Sequence, residues 1–158
     1  MKSLGTIIFS EEQRAKFSSG QLAAEWFQRY PQLFDQDDCR LVAKGKNYHF
    51  FEWLGAIIIY ETIGYLSLVE KYQFKNHKRK TEVLLKVFSG KFPNSIFEKG
   101  VQCPDLFCYS LDYQDYFFCE IKGLTDRVRN EQKSYFDRLQ TLTGKEIYLL
   151  KFEGMTNF

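Results

Sequence analysis

The sequence predicts a mixed α/β domain, a single sheet of α+β character flanked by helices. Along the chain the hydrophobic period switches between helical and strand spacing, in the order helix, helix, strand, short helix, strand, strand, helix, strand. A chain of 158 residues is long enough for one domain with a real core and too short for two comfortable ones. Hydrophobic residues at 44% and charged residues at 27% are ordinary for a folded globular chain, whereas 16 Phe, 10 Tyr and 2 Trp exceed it.

Each element has its own justification. Residues 1–10 show no clear period and read as an arm. From Glu11 to Phe34 the pattern is helical, with Leu22, Trp26 and Phe27 on one face until Pro31 interrupts it. Asp35, Asp37 and Asp38 mark a loop. "HFFEWLGAIIIYETIG" spaces Phe50, Trp53, Ile57 and Tyr60 by three and four, ends at Gly64, and is apolar on most of its circumference, which predicts a buried helix. "YLSLVEKYQF" alternates like a strand, cleanly at Leu66 and Leu68 and less so at Glu70 and Tyr72. A basic connector and a short helix, "TEVLLKVF", follow before Ser89-Gly90.

Two apolar runs, Leu106 to Leu111 and Tyr116 to Ile121, flank the polar "DYQD" and predict a hairpin. Gly123 breaks the second strand. "DRVRNEQKSYFDRLQTL" is an amphipathic helix with Val128, Gln132, Tyr135, Phe136, Leu139 and Leu142 inward and Asp126 as its N-cap, and "EIYLLKF" is a last strand. No internal repeat, low-complexity tract or linker interrupts the order.

Composition excludes several classes. No run approaches the roughly 18 apolar residues of a membrane span, the longest being Trp53 to Tyr60, and no basic-then-apolar leader opens the chain, so an intracellular protein is expected, in cytoplasm or nucleoid or nucleus. Cys39, Cys103, Cys108 and Cys119 lack Cys-x-x-Cys spacing, which argues against zinc, and a core this rich needs no disulfides. They read as free thiols. His49 and His77 stand far apart, with no acid-base role assigned to either. Between Lys71 and Lys91 seven basic residues (Lys71, Lys75, Lys78, Arg79, Lys80, Lys86, Lys91) oppose Glu82 alone, so this segment carries +6 within a chain of net charge +2. A polyanion would feel that concentration, although a charge run is ordinarily a solvated face.

The stretch "CPDLFCYSLDYQDYFFCEIKG" carries the chemistry. In a strand, side chains two apart share a face, so Glu120 and Lys122 project together, with Asp105 beside them on the neighbouring strand. Two carboxylates and an ammonium at the end of an apolar hairpin are costly to bury unless paired or bound to a metal. An all-oxygen carboxylate site suits Mg2+ or Mn2+, which acidifies a bound water and neutralises a phosphate. Glu-x-Lys on a strand is by itself most often a solvated pattern. The combination with its neighbours decides otherwise.

Pro104-Asp105, a gap of fourteen residues, then Glu120-Ile121-Lys122 resembles the PD-(D/E)xK nuclease signature. The run "EIKGLTDRVRNEQKSYFDRL" is similar to the stretch after the catalytic strand in the VRR-NUC branch, with Gly123, Asp126 and Gln132 in the places of its recurring Gly, Asp and Gln. Glu52 lies twelve residues before Gly64-Tyr65, as does the superfamily's helix-borne glutamate before its Gly-Tyr pair. Gly55 and Ala56, one turn on, leave room for a loaded site to approach, and Glu61 is the competing acid.

The resemblance spans residues 48–152. It implies a restriction-endonuclease-like core, helix-strand-strand-strand-helix-strand, at 47–158, with a basic insertion at about 73–100 and an N-terminal helical extension at 1–46 packed on it. Glu52, Asp105 and Glu120 would ligate Mg2+ or Mn2+ with the Ile121 carbonyl, Lys122 would be catalytic with them, and Gln132 would support the site or touch substrate. The expected activity is metal-dependent hydrolysis of DNA phosphodiesters, structure-selective for branched, flapped or nicked DNA. Lys71, Lys75, Lys78, Arg79 and Lys80 are the expected phosphate contacts and a homodimer the expected assembly. The alternatives are an RNA-directed enzyme and an inactive nucleic-acid-binding module. A degenerate module would lack a carboxylate or the lysine, and none is missing.

Overall fold

The apolar runs around residues 110–115 pair antiparallel, as their alternation predicts, and form β3 (Leu106–Tyr109) and β4 (Tyr116–Gly123). The computed structural model describes residues 1–45 and 49–155; the boundary expected between 46 and 47 lies outside them. With β1 (Lys2–Phe9), β2 (Leu66–Val69) and β5 (Ile147–Gly154) these strands make a five-stranded mixed sheet in the order β1-β5-β4-β3-β2. β3 runs antiparallel to both β2 and β4, whereas β5 runs parallel to both β4 and β1. Six α-helices flank the sheet among the described residues: α1 (Glu11–Ser18), α2 (Gln21–Arg29), α3 (Gln36–Val42), α4 (Phe50–Ile63), α5 (Lys78–Val87) and α6 (Asn130–Thr143). None of them is long and apolar enough to cross a membrane.

Helix α4 is apolar all round because it is covered twice. One side packs on β2 and β4; the other receives α1, α2 and the 30–34 segment through Phe17, Trp26, Tyr30 and Phe34. Phe34 stacks on Trp53 with ring centroids 3.8 Å apart. The opposite face of the sheet is closed by Tyr72 and Phe88 against Phe107 and Phe118, and by Tyr135 and Phe136 of α6. All four cysteines are free thiols, three of them buried.

The N-terminal third differs from its sequence reading. Residues 1–10 are not an arm: β1 pairs along β5 from Lys2 to Phe9, so the extension is part strand and part helix. Its side chains are mostly exposed at a sheet edge, which leaves no local alternation to read. The segment 11–34 breaks at Gly20, whose left-handed φ of 87° separates α1 from α2, before Pro31 is reached. Asp35 and Asp38 form no loop; their side chains and backbone N–H groups exchange hydrogen bonds as the capping box of α3. Farther on, Asp126 is not a cap, since α6 begins at Asn130, and Leu142 is 60% exposed rather than inward.

Two of the basic residues are also corrected. Lys80 is 1% exposed, its ammonium 3.1 Å from Asp38 Oδ1 and donating to the carbonyls of Val69 (2.6 Å) and Glu70 (3.0 Å). Arg79 donates to the carbonyls of Leu33 (2.9 Å) and Gln32 (2.7 Å) and lies 3.5 Å from Asp38. Both bind protein rather than phosphate: the amphipathic α5 turns them toward the carbonyls left where β2 and the 30–34 segment end. Lys75 and Lys78 are exposed and Lys71 is half-buried. Removing one partner of a buried pair leaves the other charge uncompensated. Lys80→Ala should therefore lose about 3–5 kcal/mol of stability in urea unfolding, against less than about 0.5 kcal/mol for Lys78→Ala.

Candidate metal centre

The centre begins where the β3–β4 ladder runs out. Leu106 pairs with Cys119, so the next residues, Asp105 and Glu120, face each other beyond the last regular pair. Side chains replace the ladder there: the Asp105 N–H donates to Glu120 Oε2 (3.2 Å), and the Ile121 N–H donates to Asp105 Oδ2 (2.8 Å). Pro104 stands one residue farther out and has no N–H to offer the Ile121 carbonyl, which in a strand points the same way as its own N–H. A carbonyl and two carboxylates thus meet at one gap.

Glu120 is only 2% exposed, and its other oxygen is shared. Lys122 Nζ lies 3.0 Å from Oε1, and the Gln132 amide donates to it at 3.4 Å. Gln132 is aimed by its own carbonyl oxygen, which accepts from the Arg129 N–H (3.2 Å) in the capping box that opens α6. The start of that helix and the end of β4 therefore lock one carboxylate.

Glu52 arrives from the first turn of α4. Two close approaches set that helix on the motif strand. A side chain at Gly55 would meet Ile121 Cδ1 at 2.8 Å, and one at Gly123 would meet the Phe51 ring at 2.5 Å. Glu61, at the far end of α4, hydrogen-bonds Tyr30 instead. A concavity of about 330 Å³ is lined by Glu52, Glu70, Asp105, Glu120, Ile121, Lys122, Gln132, Asp126, Arg127, Arg129 and Gln102. It merges along Glu70 and Gln102 with a larger cleft of about 600 Å³ that Lys71 borders.

The charges are mutually unfavourable. Burial, then the Glu70 carboxylate, pushes Glu52 up to about 7. Burial and the Glu120 and Glu52 carboxylates hold Asp105 well above the usual carboxylate range. Glu120 is raised by burial in spite of Lys122. Carboxylates that crowd one partly dry gap beside a strand carbonyl are oxygen donors of the kind a hard divalent cation takes.

Glu52, Asp105, Glu120, Ile121, Lys122 and Gln132 come together here; the exposed Lys75 and Lys78 do not line the concavity. Lys75 instead sits over the Phe92 ring, 4.6 Å from its centroid. Reading by pattern missed Glu70, Arg127 and Arg129. Glu70 left one trace, a carboxylate directly after the fully buried "LSLV" strand, and its N–H donates to the Asp105 carbonyl. No family model, no curated protein and no solved structure matches the chain.

An acid whose folded-state pKa is raised leaves folding unpenalised while both states are protonated, and stability is lost as pH rises through the interval between the two values. For Glu52 that interval runs from about 4.5 to about 7. Without divalent ions the thermal midpoint should fall across it, and Glu52→Gln should flatten the fall. Added Mg2+ or Mn2+ should raise the midpoint more at about pH 8 than at about pH 5, and an ion at about a hundredfold above its Kd should stabilise the folded chain by about 2.7 kcal/mol. Gly123→Ala should displace Phe51 and the first turn of α4, costing about 1–3 kcal/mol and weakening ion binding in calorimetric titration.

Proposed function

We propose that this chain is a metal-dependent nuclease hydrolysing phosphodiester bonds of DNA, built on the restriction-endonuclease-like core of the PD-(D/E)xK superfamily and resembling its VRR-NUC branch. The observation that carries the reading is the convergence of Glu52, Asp105, Glu120 and Lys122, from α4, the start of β3 and β4, on one concavity. The order α4, β2, β3, β4, α6, β5 supports it, being the order that core requires.

In this reading Glu52, Asp105, Glu120 and the Ile121 carbonyl hold Mg2+ or Mn2+. The ion supplies an acidified water and neutralises charge on the scissile phosphate. Lys122, fixed against Glu120, holds the attacking water and faces charge growing on the phosphate oxygens as one phosphorus–oxygen ester bond gives way. Gln132 keeps Glu120 in place and acts through it. Arg127 and Arg129 at the rim meet neighbouring phosphates, as does Lys71, a sequence-independent attraction that weakens with salt.

The test is a cleavage panel of linear, circular, flapped, hairpin and four-way-junction DNAs with Mg2+ and Mn2+, with matched RNA alongside. Wild type should cut DNA only when a divalent ion is present. Asp105→Asn and Lys122→Ala, each with a thermal midpoint showing a folded chain, should lose at least about a hundredfold in rate. Cutting that survives EDTA or either substitution refutes the reading.

A further inference from the structure

We infer that His49, Glu52 and Glu70 form a second cation site beside that of Asp105 and Glu120, one that selects a first-row transition ion over Mg2+ because one of its donors is an imidazole nitrogen. The inference shares Glu52 with the proposed nuclease centre and rests on that reading for its role, though not for its existence. One ligand atom from each of the three residues lies within 4.8 Å of the other two. Three donors that close can reach a common ion.

The cluster is more than a patch of acids. The His49 side chain is 3% exposed, and its Nδ1 is 3.1 Å from Glu70 Oε2. His49 is the N-cap of α4, with left-handed backbone (φ 67°), and Glu52 follows three residues on in the first turn. Glu70 comes from another direction, the residue after β2, where the backbone turns left-handed at Glu70 (φ 49°) and Lys71 (φ 53°). Both polar groups of its backbone are held: its N–H donates to the Asp105 carbonyl (2.8 Å), and its carbonyl accepts from Lys80 (3.0 Å). Two segments distant in sequence thus bring an imidazole and two carboxylates together, and both carboxylates line a concavity already crowded with negative charge.

Donor chemistry sets the selectivity. Mg2+ demands oxygen ligands in octahedral array, whereas imidazole nitrogen is a normal ligand of transition ions, with Mn2+ the member that also accepts carboxylates readily. The all-oxygen pair of Asp105 and Glu120 takes Mg2+; the mixed wall of His49, Glu52 and Glu70 takes the transition ion. The competing account is an ion pair between a protonated His49 and Glu70, which would hold no metal.

Pulsed electron paramagnetic resonance separates the two. The full chain, at about pH 8, receives substoichiometric Mn2+ in an excess of Mg2+. Wild type should show 14N coupling from a directly bound imidazole. His49→Gln should abolish the coupling, His77→Gln should retain it, and His49→Gln and Glu70→Gln should each weaken Mn2+ binding about tenfold or more. Absence of nitrogen coupling in wild type overturns the inference, and that measurement needs no variant to fold. Coupling that survives His49→Gln overturns it as well. Cleavage in Mg2+ without nitrogen-coupled Mn2+ removes the second site alone, while nitrogen-coupled Mn2+ in a chain that cuts no DNA removes the nuclease reading and leaves the site standing.

Discussion

The hydrogen bond from the Ile121 N–H to the Asp105 carboxylate, made where Pro104 ends the ladder between β3 and β4, organises the rest of the centre. It draws a side chain into the line of backbone bonding, so Asp105 lies in the gap between strands and not on a face of the sheet. Glu120 is fixed from the other side by the Asp105 N–H, and Lys122 and Gln132 then take up its remaining oxygen. One irregularity in a ladder thus turns an apolar hairpin into a polar pocket.

That pocket burdens the fold. Carboxylates raised by burial and by one another would relax apart if the elements bearing them were free to move. They are not. α4 lies directly on Ile121 through Gly55, its first turn is wedged by Phe51 over Gly123, and its outer side is clamped by the aromatic residues of α1, α2 and the 30–34 segment. Glu70 is held through its backbone by Lys80, itself neutralised by Asp38 of α3. Preorganisation of this kind spends stability on a site whose like charges favour a cation.

The N-terminal residues acquire a part in this arrangement. β1 extends the sheet beyond β5, α1, α2 and the 30–34 segment cover α4, and Asp38 of α3 supplies the counter-charge for Lys80. Their link to the centre is indirect, through the position of α4 and the end of β2. The exposed Lys75 and Lys78 remain the outward part of the basic segment, while Arg79 and Lys80 belong to its interior.

Local pattern was enough for much of this. The helical spacing of Phe50, Trp53, Ile57 and Tyr60, the hairpin around residues 110–115 and the Asp105, Glu120 and Lys122 spacing are all short-range facts, and strand alternation alone places Glu120 with Lys122. Glu52 was legible through its distance to Gly64-Tyr65 and through the small Gly55 and Ala56 one turn on. What pattern does not carry is contact between remote segments. β1 looked like an arm because its partner lies over 140 residues away, and Lys80 looked like a phosphate ligand because charge is visible in sequence while burial is not. His49 and Glu70 stand twenty-one residues apart, on either side of α4 and β2, and nothing local pairs an imidazole with that carboxylate. The sequence by itself determined α4, the β3–β4 hairpin and the motif on it, since each follows from the periodicity of a single chain segment. Only tertiary structure decided which charges face the pocket and which face the core, because that depends on how α4, α5 and the end of β2 pack.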